Sequence, residues 1–177
     1  MKRYPALLLC VLALMALSPA AGAEEAVPMV YPATQSILIN GETKELHAYA
    51  IHNSNGFATN YVKIRDMAAL LNLTTARFDV TWNDGVDILP GKPYLSPNGQ
   101  EDQAPYQGEQ PYLPATADTR VDGKRADIDA FVILDSEGGG STYYKLRDLG
   151  RVLDFSVAWL GSEEGVMIDT SIPYQAD

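Results

Sequence analysis

The chain has 177 residues, 46% of them hydrophobic, and its 23 acidic against 13 basic side chains leave a formal net charge of −10. Such acidity repels nucleic-acid phosphates and anionic lipid, and so excludes nucleic acid as an expected partner. The one cysteine is Cys10, so a form lacking the first residues has no disulfide, no thiolate metal site and no cysteine nucleophile.

Residues 1–23 read as an export signal. Lys2 and Arg3 make a positive start, an apolar run covers residues 6–17, and Ala21-Gly22-Ala23 is a small-x-small cleavage site. The run is shorter than the ~20 apolar residues of a spanning helix. It also continues past Cys10, which argues against lipidation there. A cut before Glu24 predicts a secreted or envelope-associated chain with no stable membrane insertion; a retained anchor is the alternative. Residues 24–33 are a short N-terminal lead.

The rest is a tandem repeat, residues 34–94 and 112–174, joined by a Pro/Gly-rich linker at 95–111. Tyr61-Val-Lys63-Ile-Arg65-Asp66-Met returns as Tyr143-Tyr-Lys145-Leu-Arg147-Asp148-Leu. In copy one, Ile37-Leu-Ile39 leads into Asn40-Gly41, a hairpin dipeptide, and residues 44–52 read as the returning strand. Asp122-Gly123 precedes residues 126–134 in the same way. A polar loop follows, 53–56 in copy one and 135–140 in copy two. Then Ile64, Met67, Ala68 and Leu71 make one apolar helical stripe, as do Leu146, Leu149 and Leu153. Asp66 and Asp148 fall at the helix start, where a carboxylate suits the exposed N–H groups.

Beyond each helix the period drops to two. Phe78, Val80 and Trp82 alternate with polar residues, as Phe155, Val157 and Trp159 do, which marks Phe78, Trp82, Phe155 and Trp159 as core aromatics. Turns at 83–85 and 161–165 lead to final strands ending at Ile88 and Ile168. Each unit reads hairpin, helix, hairpin. The expected fold is α+β, two tandem repeats, each a small antiparallel sheet with one packed helix.

The combination of Asn-Gly turn, Tyr-x-Lys-[Ile/Leu]-Arg-Asp, Phe-x-Val-x-Trp and Lys92-Pro93-Tyr94 resembles the copper amine oxidase N-terminal-domain-like family, also called the stalk domain. The resemblance covers most of the chain beyond the signal, in two copies. It implies an extracellular, non-catalytic module of exported proteins, with a small antiparallel sheet and a packed helix. It transfers no copper ligands to any residue here.

The residues themselves argue against several chemistries. His47 and His52 are five apart on an expected strand, which puts them on opposite faces. No Cys completes a metal site, and the acidic turns around Asp84, Asp87, Asp135 and Glu137 lack an EF-hand pattern. Neither metal nor cofactor is expected. No Gly-x-Ser-x-Gly is present, and the glycine-rich 137–141 stretch lacks the lysine of a phosphate loop. Asp66 and Asp148 could serve a carboxylate-dependent hydrolase, but their matched places favour a structural role.

Binding surfaces remain. Tyr61, Lys63, Arg65, Tyr106, Tyr112, Tyr143, Lys145 and Arg147 are the candidate contacts, aromatics that stack on sugars or anchor interfaces beside local basic spots. The leading expectation is a non-catalytic module that binds a cell-wall polymer or another exported protein. A structural spacer without a ligand is the alternative, and a hydrolase the less favoured one.

Overall fold

The computed structural model describes residues 27–33, 36–44, 46, 48–95, 108–136 and 138–176. The expectations for the export signal, Cys10, His47, Tyr106 and Glu137 lie outside these residues. In chain order the described elements are β1 (Met29–Pro32), β2 (Ile37–Ile39), β3 (Glu42–Lys44), β4 (Ala48–His52), β5 (Ala58–Lys63), α1 (Ile64–Leu71), β6 (Phe78–Trp82) and β7 (Val86–Pro90). Then come β8 (Gln110–Pro111), β9 (Leu113–Pro114), β10 (Thr119–Val121), β11 (Lys124–Arg125), β12 (Ala130–Leu134), β13 (Gly140–Lys145), α2 (Leu146–Leu153), β14 (Ser156–Gly161) and β15 (Gly165–Asp169).

The expected α+β pair of small hairpin–helix–hairpin modules is wrong. The fold is mostly β, 47% strand against 12% helix, and is built round a large, nearly closed antiparallel sheet. That sheet has seven strands in the order β8-β1-β4-β5-β13-β12-β9. Its centre is the β5–β13 pair, where Val62 faces its own repeat equivalent, Tyr144. The hairpin partners β4 and β12 lie outside them, then β1 and β9. From β1 to β9 the order is therefore a palindrome of the two copies. Only Tyr112 separates β8 from β9, yet these strands occupy opposite edges. One short stretch of chain thus draws the two edges together.

Two further sheets of four strands, β11-β10-β7-β6 and β14-β15-β2-β3, show why the modules are not separate. Hairpin β2–β3 turns at Asn40 (φ 52°) and Gly41 (φ 84°), the positive angles of a tight hairpin. It then pairs in parallel with β15 of copy two, Ile37 beside Val166 and Ile39 beside Ile168. Hairpin β10–β11 pairs in parallel with β7 of copy one, Thr119 beside Val86 and Val121 beside Ile88. Each copy lends its first hairpin to the other. Asn40 locks one seam: its Oδ1 accepts from Thr170 N at 2.9 Å and its Nδ2 donates to Thr170 Oγ1 at 3.1 Å.

Two features of the chain account for the difference from the expected architecture. The expected returning strand, 44–52, is divided between β3 and β4 in different sheets. The central strand β5 carries no strand signal in its sequence, because it lacks simple alternation. Tyr61 and Val62 are both buried, on opposite faces, each against its own core. Strand β1 also falls inside what looked like a lead; its pairing with β4 matches that of β9 with β12, Pro32 beside Tyr49 and Pro114 beside Phe131.

One core lies within the curve of the large sheet and holds Val30, Tyr49, Tyr61, Phe131 and Tyr143. The other lies between that sheet, both helices and the two smaller sheets, and draws on both copies. Helix α1 buries Ile64, Met67, Ala68 and Leu71; α2 buries Leu146, Leu149 and Gly150. Burying Ile37 and Ile39 contributes roughly 1.5–3 kcal/mol each, which is available only when the hairpins are exchanged.

Candidate functional site

The tryptophans expected in the core are on the surface. Trp82 is 63% exposed and Trp159 51%, whereas Phe78 and Phe155 are fully buried. Strand parity puts each Trp on the face of its Phe, yet the two rings differ in burial. Along β6 burial falls from Phe78 and Val80, both buried, to the exposed Trp82 at the strand end. Both β6 and β14 are edge strands, each with one neighbour in its sheet.

The opposite correction applies to the tyrosines expected on the surface. Tyr61 and Tyr143 are buried in the aromatic core of the large sheet. Tyr112 is partly buried and packs on Phe131 at 5.0 Å between ring centroids. A phenol ring with one polar edge suits a core provided its hydroxyl finds a partner. Tyr61 donates to Asp129 Oδ2 at 2.7 Å, tying copy one to copy two. Burial, then the hydrogen bond and charge of Asp129, push the Tyr61 hydroxyl far above its ordinary range. It is therefore a fixed neutral donor and a poor proton acceptor. Tyr144 shares a 2.9 Å hydrogen bond with Thr119 inside the other core; burial pushes its hydroxyl up, only partly offset by that bond.

The helix-start carboxylates sit in the first turns of α1 and α2. Asp148 Oδ2 accepts the backbone N–H of Asp129 at 3.0 Å, so it fastens α2 to the segment ahead of β12. Arg151 lies 3.9 Å from the same carboxylate. Among the described residues no three His, Cys, Asp or Glu side chains gather as a metal site. His52 stacks on Tyr31 at 5.3 Å. No described helix is long and apolar enough to cross a membrane.

The basic residues are brought to matched places. Lys63 and Arg65 flank the start of α1, and Lys145 and Arg147 the start of α2; all four are half-buried. Lys145 and Arg147 line a groove of about 470 Å³ formed by residues 56–60, 145–147 and 157–159 with Val166. Trp159 lies along it, and so does Phe57, which is 72% exposed. Asn60 also lines it, and its Oδ1 is buried without a hydrogen-bond partner. A second concavity of about 420 Å³ holds Asp118 and Arg125, which already pair with each other at 3.3 Å.

Phe57 and Asn60 were not among the residues singled out from sequence. A signal for Phe57 existed in the comparison of the two copies. Asn53 and Asp135 close the same loop, Asn53 N–H donating to Phe57 O and Asp135 N–H to Gly139 O. Phe57 thus stands where copy two has Gly139.

In comparisons with known proteins, the chain matches no family model, no curated protein and no solved structure.

Proposed function

We propose that this chain is an exported, non-catalytic module that binds a component of the cell envelope, a wall polymer or another exported protein. The observation that carries the reading is the groove at Trp159, where two large exposed aromatic rings meet half-buried cations on an acidic protein. Exposed aromatic side chains bordering a concavity are the usual anchors of recognition. Of the two carboxylates that a hydrolase would draw on, Asp66 and Asp148, Asp148 already holds the backbone N–H of Asp129. The resemblance to the stalk-domain family and the export signal fit the same reading.

Co-sedimentation of residues 24–177 with Gram-positive cell-wall sacculi, across a salt series, tests it. Saturable binding that survives moderate salt is the expected result. Binding lost at low added salt would mean charge attraction alone. If the chain captures neither wall material nor any exported protein, the reading fails.

A further inference from the structure

Two copies with one backbone plan pack on each other here, so each surface that a copy offers fits, by backbone shape, its own kind as well as the unlike copy. Side chains on the axis that relates the copies tell the two apart most directly, because there a residue meets its own equivalent. The strand order from β1 to β9 is a palindrome, and its centre, between antiparallel β5 and β13, is a local twofold axis. Across it Tyr61 faces Lys145, Val62 faces Tyr144 and Lys63 faces Tyr143. The outer two pairs would be tyrosine against lysine in any combination of copies, and so carry no preference. The central position differs between the copies. Among the described strand pairs that join the copies, it is the one place where matched residues stand opposite each other.

Val62 and Tyr144 are fully buried in the core that draws on both copies. Side chains directly opposite on an antiparallel pair have Cβ atoms about 5 Å apart, so these two divide one space between them. Protein interiors are close-packed. Two valines would leave the space of the ring empty, and two tyrosines would overfill it. The hydroxyl makes the same distinction. Tyr144 shares a 2.9 Å hydrogen bond with Thr119. Thr119 opens β10 and is matched in copy one by Ile37, which opens β2; each stands beside a matched valine, Thr119 by Val86 and Ile37 by Val166. A tyrosine at position 62 would therefore aim its hydroxyl at an isoleucine, which neither donates nor accepts, and a buried hydroxyl without a partner is costly. The large ring comes with a threonine and the small side chain with an isoleucine.

We propose that Val62 and Tyr144 are the recognition pair of the interface between the copies: its centre accepts one large and one small side chain, so each copy fits the unlike copy and rejects its own kind. The partner that this surface selects is a copy that brings the other residue. The selection is made in the core and is independent of what the protein binds at its surface.

Urea unfolding of residues 24–177, followed by circular dichroism, tests the proposal. Val62→Tyr creates the centre that copy two would have against itself, and Tyr144→Val the centre that copy one would have against itself. Each should lower the folded-to-unfolded ratio about tenfold or more, the first by overfilling the core and the second by leaving a cavity. Combining the two substitutions restores one large and one small side chain, and the loss should be clearly smaller than the two single losses multiplied together. Moving the hydroxyl's partner across as well, with Ile37→Thr and Thr119→Ile, should raise the midpoint above that of either single variant. Additive rescue of this kind separates recognition from mere burial, since a core position without a preferred partner gains nothing from the exchange. A fourfold variant no more stable than the weaker single variant would overturn the proposal, and so would an unchanged midpoint in either single variant. If a single variant does not fold at all, the fourfold variant decides: folded, it supports the recognition pair, and unfolded, it refutes it.

Discussion

Replacing Gly165 by alanine probes the seam where the two copies exchange hairpins. Gly165 begins β15 at φ +81°, and the next residue, Val166, donates its N–H to Ser36 O at 2.9 Å. A Cβ on Gly165 would run into the Ser36 carbonyl oxygen and lie 2.8 Å from Ser36 N. These are backbone atoms, so relief requires β15 and β2 to move apart. The positive φ costs alanine about 1–2 kcal/mol. Losing the Val166–Ser36 hydrogen bond costs a further 0.5–1.5 kcal/mol or so, and Ile37 loosens against Val166. The expected destabilisation is about 2–4 kcal/mol. Gly41→Ala is the control: its φ is +84°, but nothing lies within 4 Å of the added Cβ. That variant should lose only the backbone strain, about 1–2 kcal/mol. Urea unfolding followed by circular dichroism measures both. Gly165→Ala should unfold at clearly lower urea than Gly41→Ala. Equal midpoints would show that the approach of Ser36 to Gly165 contributes nothing, and the argument for a tight seam would be refuted.

Three other outcomes follow from the same packing. Expressed separately, residues 24–95 and 108–177 should each remain unfolded and should fold when mixed, because each lacks the hairpin that its last strand pairs with; a dispersed amide spectrum from either half alone would contradict the exchange. Asp148→Ala should cost about 1 kcal/mol by freeing the Asp129 N–H, read as a shift in urea midpoint, and an unchanged midpoint would remove that hydrogen bond from the account. Tyr61 and Tyr144 have folded-state values raised above the ordinary 10.0, so the folded form keeps protons that the unfolded chain gives up. Stability is then fully present below about pH 10 and falls as pH rises beyond it. Tyr61→Phe should be less stable at neutral pH, since Asp129 loses its donor, but should decline less steeply in alkali; melting temperatures with parallel slopes above about pH 10 would refute this.

The local features of the fold were legible in the sequence. Asn40-Gly41 and Asp122-Gly123 declare tight turns, and the stripes of Ile64, Met67 and Leu71 and of Leu146 and Leu149 declare short helices. Such signals arise from φ preference and from the 3.6-residue period, which involve only neighbouring residues. The site was less legible. Lys145 and Arg147 were singled out and do line the groove, but Tyr61 and Tyr143 proved to be core, and Trp82 and Trp159 proved exposed. Strand parity tells which face a side chain takes. It does not tell how far along the strand the covering elements reach, and both tryptophans lie exposed at that end.

By itself, the sequence determined the duplication, the turns, the helices and the absence of any thiol from residues 24–177. Tertiary structure alone decided that the copies exchange hairpins, that β5 pairs with β13, and that a groove is assembled from both copies. Parallel pairing of β2 with β15 joins residues more than a hundred positions apart, such as Ile37 and Val166. Pairing at that range is driven by burial of apolar surface, which favours no particular partner along the chain. A pattern of alternating residues therefore looks the same whether a strand meets its own copy or the other one.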